Sequence, residues 1–342
     1  MPDASVHHRS SGSVPAERLA VAYLPEATTP PHEREVHANL ARRLAMLMGY
    51  DDAGEQQPAA PGRALAGTAA RRYWIPAATL DQPAQVRALG IRRETDFFGG
   101  VVPAPFVASK IITHDLVDEQ AEAVRGWSAA FARRVAPVVL NGFSVFTHED
   151  ALRAGRLLLQ DGPVRLKPAH ARGGRGQRTV EDMRALNVAL DAIDAQDLRD
   201  GLVVEEELED IVTFSVGQLR LPGLTASYSG TQRLTTDNRG ELVYGGSDLD
   251  VVVGGFDALL AQTLPADVHR AVESARRYDQ AASDCFEGLL ASRRNYDVVI
   301  GRNGRGRRKC GVLEQSWRIG GASGAEVAAV SAAQPQPQLD RE

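Results

Sequence analysis

The chain is poor in cysteine, short of aromatic residues and free of long apolar runs. Only Cys285 and Cys310 occur among its 342 residues. They stand far apart and in no metal-ligand spacing, which excludes a disulfide framework and a cysteine-based zinc site and fits a reducing compartment. No stretch approaches the length needed to cross a bilayer, so no membrane partner is expected. The leading MPDASVHHRSSGSVPAER lacks the apolar core of a secretory signal. A cytoplasmic location is the resulting expectation. Cations are not in excess: 39 Lys and Arg stand against 44 Asp and Glu, a net charge of −5. That balance argues against a dedicated nucleic-acid binder and leaves only a local basic patch as a route to such a partner. The remaining composition is 43% hydrophobic and 24% charged. It is that of a soluble globular protein, in a chain long enough for two or three packed subdomains.

Residues 1–16 are polar and rich in Ser, and residues 331–342 alternate Pro and Gln; both ends read as disordered. Between them, Leu19–Leu24 reads as a buried strand. Residues 33–48 read as a helix with Val36, Leu40, Leu44 and Leu47 on one face, and 51–67 as a loop or insertion. A short strand at 73–75 and a helix at 82–89 complete a small α/β unit with a parallel sheet. The spacing of Val117, Ala121, Val124, Trp127 and Phe131 predicts a helix over 115–135, followed by a strand at 137–140. Thr147 is the expected cap of a helix over 149–159, with Asp150 in the capping-box position. Further expectations are a helix at 180–193, a strand at 201–208 and antiparallel strands at 213–219, 224–229 and 241–244. A long helix over 267–290 and a hairpin built on 296–300 and 310–313 come last.

The chemistry gathers around VRLKPAHARGGRGQR, residues 164–178. Lys167 lies on a strand that Pro168 ends, and Gly173, Gly174 and Gly176 follow. Glycines let backbone N–H groups approach phosphate oxygens, and the lysine adds a fixed charge. The lysine precedes the glycines, so this is not a Walker A loop, nor is it GxGxxG. By itself the stretch reads as a phosphate-holding turn or as a solvated hairpin, and nothing within it decides. The strand at 201–208 ends in Glu205, Glu206 and Glu207; alternation turns the outer two to one face and Glu206 to the other. In the last hairpin, antiparallel pairing can bring Asp297 and Glu314 to the same end. Two converging carboxylates beside phosphates suit Mg²⁺, which takes one or two carboxylates and keeps its remaining positions for phosphate and water. The alternative is a pair of edge-strand charges. Asp248 and Asp250 sit between two Gly-Gly pairs and are candidates to border a substrate. The basic run at 302–309 reads as a solvated tip, His170 as a loop histidine and His114 as the partner of a helix start.

In order and spacing, these parts resemble the ATP-grasp superfamily over about 98–323: a first lysine, a strand lysine with a glycine loop, an acidic hinge ending E-x-x-L, an antiparallel subdomain and a carboxylate pair similar to D…E-x-N. Within it the chain looks like a bacterial branch of the domain-of-unknown-function type. The resemblance implies an α/β grasp fold. Its parts would be an N-terminal pre-grasp domain at 17–107 and a grasp domain at 108–330 whose lid spans about 137–208. It implies ATP and Mg²⁺ as ligands. Lys110 and Lys167 would hold phosphates under a lid containing Gly173, Gly174 and Gly176, and Glu205 and Leu208 would read the adenine. Asp297, Glu314 and Ser316 would bind the metal, and Arg318, beside Gly320-Gly321, would meet the acyl phosphate. The implied activity is an ATP-dependent ligase joining a small-molecule carboxylate to an amine or thiol through an acyl phosphate. A homodimer is among the assemblies it allows. Two departures stand out: Ser316 replaces the family's asparagine, and no acid falls at the expected ribose contact. They motivate a second reading, an ATP-binding regulatory protein without turnover. A nucleic-acid module built on the basic hairpin is a third.

Overall fold

The computed structural model describes residues 19–57, 71–170, 176–236 and 242–333. The expected disordered end 1–16 lies outside these residues, as do 334–342, Gly173 and Gly174; residues 331–333, expected in the disordered tail, instead close the last helix. The first unit is β1 (Leu19–Leu24), α1 (Pro31–Met48), β2 (Asp51–Glu55), β3 (Arg71–Pro76), α2 (Pro83–Ala88) and β4 (Gly100–Val101). Its sheet has the order β2-β1-β3 and is parallel, as the strand–helix alternation requires. The 51–67 stretch is therefore not all loop, since it begins with β2. Helix α1 packs Leu40, Ala41, Leu44 and Ala45 inward. Val36, expected on that face, is instead 60% exposed, and His37 takes the buried place by bonding Tyr23 Oη through Nδ1 at 3.2 Å.

Two short 3-10 turns, Pro105–Ala108 and Lys110–Thr113, lead out of this unit. The helix expected over 115–135 is only α3 (Ala129–Val135). Ser128 starts it by accepting a hydrogen bond from Phe131 N, and Gly126, at φ +91°, breaks any earlier turn. The apolar period there serves two cores: Val117 packs on one sheet, Trp127 and Phe131 on another. Residues 136–138 form a 3-10 turn, because Pro137 fits a helix start and has no N–H to donate to a sheet. The expected strand at 137–140 thus begins later, as β5 (Gly142–Val145).

From β5 the chain builds α4 (His148–Leu158), β6 (Val164–Pro168), β7 (Arg178–Val180), α5 (Met183–Asp191), α6 (Ala195–Asp200) and β8 (Leu202–Glu206). Thr147 Oγ1 accepts from Asp150 N, the predicted cap. The expected helix at 180–193 begins only at Met183, where Asp182 accepts from Ala185 N; the residues before it pair with β6. The strands form an antiparallel sheet of order β5-β8-β6-β7, with α4 and α5 packed on one face.

A second antiparallel sheet holds β9 (Leu208–Leu221), β10 (Leu224–Thr236), β11 (Leu242–Val253), β13 (Arg293–Asn303) and β14 (Arg308–Ser316) in the order β11-β10-β9-β13-β14. Between them come α7 (Phe256–Leu260), α8 (Ala266–Cys285) and β12 (Leu290–Ala291), which pairs with β4. Helix α8 buries Val272, Ala275, Tyr278 and Ala282 against this sheet. A last helix, α9 (Ser323–Ala333), packs Val327 and Val330 into the core of the first unit. The basic hairpin tip is not free: Arg305 pairs with Asp161, Arg308 with Asp267, and Lys309 with Glu206 at 3.2 Å. Gly304 makes this contact possible. A Cβ there would lie 2.8 Å from Gly162 Cα.

Candidate functional site

Alternation along β6 decides the first half of the site. Val164 and Leu166 enter the core under α4 and α5, so Arg165 and Lys167 stand on the opposite face. Lys167 is only 5% exposed and ion-pairs with Glu205 on the neighbouring β8. The second oxygen of Glu205 lies 3.0 Å from His114 Nε2. Gly142, paired with Glu205, leaves room for that imidazole, because a Cβ would come within 2.8 Å of its ring. Burial alone would raise the Glu205 carboxyl above its ordinary 4.5. The Lys167 charge and the His114 bond outweigh burial and bring it down to about 2. Glu206 faces the other way, accepting from Asn141 N at 2.9 Å and Asn303 Nδ2 at 3.0 Å. Glu207 returns to the first face and takes both arms of Arg165, with Thr179 Oγ1 at 2.9 Å.

The second half lies on the hairpin. Asp297 on β13 and Glu314 on β14 are direct cross-strand partners. Gln232 Nε2 and Asn295 Nδ2 donate to Asp297 Oδ1 at 2.8 and 3.1 Å. Burial and then the facing Glu314 push the Asp297 carboxyl up to about 6. Glu314 Oε2 lies 2.8 Å from Lys110 Nζ. Lys110 is buried on its 3-10 turn, whose start is capped by Ser109 Oγ. Gln315 Nε2 holds that turn to β14 by donating to Val107 O and Ser109 O at 3.0 and 2.8 Å.

Ser316 is differently placed from the other two acceptors expected to meet a metal. Its Oγ accepts from Arg293 Nη1 at 3.1 Å, and the same nitrogen donates to Arg318 O at 2.6 Å. Arg293 is itself buried against Glu326 of α9. A guanidinium at the hydroxyl opposes a cation there. Among the described residues, no group of three or more His, Cys, Asp or Glu side chains is arranged to hold a metal. Asp297 and Glu314 alone form a hard-oxygen pair with an excess of negative charge. That suits a Mg²⁺ completing its shell from phosphate and water, and does not suit a closed structural site.

The two halves face each other across a cleft of about 160 Å³. Lys110, Lys167, Glu205, Asp297 and Glu314 line it, as does Leu208 at the start of β9. Leu140, Val299 and Leu313 join Leu208 in an apolar floor. A second cleft of about 250 Å³ adjoins it, and Lys110 and Glu314 line both. Ser316, Arg318 and His170 line the second, together with Glu26 and Asp81 from the first unit. Of the residues to which the resemblance gave a role, six thus line one cleft (Lys110, Lys167, Glu205, Leu208, Asp297 and Glu314) and two more, Ser316 and Arg318, line its neighbour. Gly176 is described, at φ +71°, and lines neither. Asp248 and Asp250 also line neither; Asp248 pairs with Arg233 on the exposed hairpin of β10 and β11. His114 is not a helix-start partner but the buried support of Glu205. The sequence reading missed Arg165, Gln232, Asn295 and Gln315. The first two-residue step back from Lys167 and from Asp297 reaches Arg165 and Asn295, so strand period was the available signal.

Solved structures share this architecture. The chain is similar to D-alanyl-alanine synthetase A from Vibrio cholerae O1 biovar eltor str. N16961, at 12% identity, with 90% of each chain covered and a TM-score of 0.56. It is similar to D-alanine–D-alanine ligase from Bacillus anthracis, at 13% identity, with 93% of each chain covered and a TM-score of 0.54. It also resembles the D-cycloserine synthetase DcsG, at 14% identity, with 92% of this chain and 99% of that one covered and a TM-score of 0.52. At such identities the likeness shows the fold alone, and the fold is that of the ATP-grasp ligases. No curated protein sequence matches the chain. The model of one family, described as "Protein of unknown function (DUF3182)", matches residues 21–341, so the chain belongs to the DUF3182 family and carries an ATP-grasp fold.

Proposed function

We propose that the protein is an ATP-dependent ligase that joins a small-molecule carboxylate to an amine. The observation that carries the reading is the pair of clefts sharing Lys110 and Glu314. A nucleotide in the first cleft would rest its base on Leu208, Val299 and Leu313, at the hinge between the two sheets. Its phosphates would run toward Lys167 and Lys110. The second cleft would then present a carboxylate to the terminal phosphate. Mg²⁺, held by Asp297 and Glu314, would neutralise charge on the phosphates. Lys110 and Lys167 orient the phosphoryl group and offset its developing charge, which is most of what such a transfer asks of a protein. The carboxylate oxygen would form a bond to phosphorus as ADP leaves. An amine would then attack the acyl carbon and release phosphate, with Arg318 and the backbone of residues 319–324 beside the developing charge. Glu26 and Asp81 in the second cleft suit a cationic amine. In this reading residues 17–107 are a pre-grasp domain, 108–330 the grasp domain and about 137–208 its lid.

The test is ADP release by the purified protein with ATP, Mg²⁺ and a panel of carboxylates and amines. Alanine heads the panel, as the amino acid in the names of the D-alanine ligases. ADP formed only when both a carboxylate and an amine are present supports the reading. Tight ATP binding with no ADP from any pair would favour a regulatory protein without turnover. The engagement of Ser316 by Arg293 is the observation on that side.

A further inference from the structure

Along β13, Arg294 and Tyr296 turn to Asp279, so Arg293, Asn295 and Asp297 share the opposite face. Arg293 is only 1% exposed and lines neither cleft. Strand β14 ends at Ser316, which pairs with Asn295. One more step of that ladder would set Arg318 opposite Arg293. The chain leaves the sheet there, and the Arg293 side chain takes over from the ladder. Its Nη1 donates to Ser316 O at 3.0 Å, Ser316 Oγ at 3.1 Å and Arg318 O at 2.6 Å. The other side of the guanidinium meets Glu326, with Nε donating to Oε2 at 3.0 Å and Nη2 to Oε1 at 2.6 Å. Glu326 is fully buried on α9.

A buried ion pair contributes little net stability, and an apolar pair of similar volume often does as well. Helix α9 is already fixed by Val327 and Val330 in the core of the first unit. What the guanidinium adds is the hold of Nη1 on Ser316 and Arg318, and both line the second cleft, with Trp317 between them. A planar fork of N–H groups serves both sides at once, which a single ammonium does not. Building on the ligase reading above, we propose that Arg293 is the positioning residue of the second cleft: braced by Glu326, it fixes the backbone from which Arg318 reaches the acyl phosphate, and it touches no ligand itself.

The experiment compares wild type, Arg293→Lys and the double variant Arg293→Met/Glu326→Leu, each with and without Arg318→Met. The double variant replaces the ion pair by apolar side chains, and Tyr228 Oη, 2.6 Å from Glu326 Oε1, keeps Asn295 Oδ1 at 2.9 Å. Its melting point should stay near that of wild type. Arg293→Lys keeps a charge beside Glu326 and carries the test if the double variant does not fold. Calorimetry reads the affinity for ATP with Mg²⁺. ADP release, with the carboxylate–amine pair that wild type turns over, reads kcat. The expected result is unchanged ATP affinity and about hundredfold lower kcat, the scale of a misplacement of about 1 Å. In the Arg318→Met background neither change should lower kcat further. An unchanged kcat, an equal fall in ATP affinity, or a loss that multiplies with that of Arg318→Met would overturn the assignment and leave the ligase reading intact. A wild type that binds ATP and releases no ADP with any pair would overturn both.

Discussion

Two acids face the same cleft from opposite sheets, and their surroundings push them in opposite directions. Glu205 in the four-stranded sheet is brought down to about 2, because Lys167 and His114 outweigh its burial. Asp297 in the five-stranded sheet is pushed up to about 6, because burial and Glu314 act together. The first is a finished internal ion pair. The second is incomplete: two carboxylates share the one charge of Lys110, which lies on Glu314, and Asp297 has the amides of Gln232 and Asn295. The contrast separates two jobs within one cleft. Glu205 fixes a lysine in place and keeps it there before any ligand arrives. Asp297 and Glu314 hold a charge deficit that a bound cation would relieve.

The largest expected effect comes from breaking the finished pair. Lys167→Met leaves Glu205 buried, 2% exposed, with His114 as its remaining partner. Removing one member of a buried pair costs about 3–5 kcal/mol. Urea unfolding should show that loss, and calorimetry should show no ATP binding. The double variant Lys167→Met/Glu205→Gln should recover most of the stability and none of the binding. If the double variant is as unstable as the single one, the pair is not what holds β6 to β8.

Breaking the incomplete pair should do the reverse. Asp297→Asn removes one of two like charges directly opposite each other, a relief of up to about 1 kcal/mol. Without ligand the variant should therefore melt slightly higher than wild type near neutral pH, and Mg²⁺ should no longer tighten ATP binding. A lower melting point would mean that Asp297 is stabilised by the fold as it stands.

The same contrast has a pH signature. The folded Glu205 carboxyl lies below its unfolded value of 4.5, so its stabilisation is complete above that value and is lost as pH falls toward about 2. The folded Asp297 carboxyl lies above its unfolded value of 3.8. Its contribution is complete below that value and is lost as pH rises through about 6. The stability difference between Asp297→Asn and wild type should therefore grow from pH 4 to 6 and then level off. A flat difference across that window counts against the raised Asp297 carboxyl.

Much of this cleft could be read from local pattern. Lys167, Leu208, Asp297 and Glu314 lie on strands whose ends and alternation are set by nearby residues. Asp297 and Glu314 meet because one hairpin joins them, a short-range constraint. His114 could not be reached that way: it touches Glu205 across 91 positions and depends on Gly142 leaving space for its ring. Lys110 was legible as a residue, but its burial depends on Gln315, far along the chain, holding the turn. The helix expected over 115–135 failed for a related reason. Its apolar period was real, but it divided between two cores with a left-handed glycine between them.

The smallest expected effect concerns a third acid, one to which the resemblance assigned no role. Asp248 lies between glycine pairs and was a candidate to border the substrate. The structure pairs it with Arg233 on an exposed hairpin, where the two side chains keep 68% and 60% of their surface. Water screens such a pair, which is worth about 0.2–1 kcal/mol at most. Asp248→Ala should therefore shift the melting point by little, and by less still at high salt. It should leave ATP affinity and the KM for any substrate found unchanged. A tenfold change in that KM would mean that the β10–β11 hairpin folds over the second cleft during turnover. Asp248 would then join Asp297 among the acids proposed to act, and the division between completed and incomplete pairs would no longer separate the candidate ligand-binding acids from the rest.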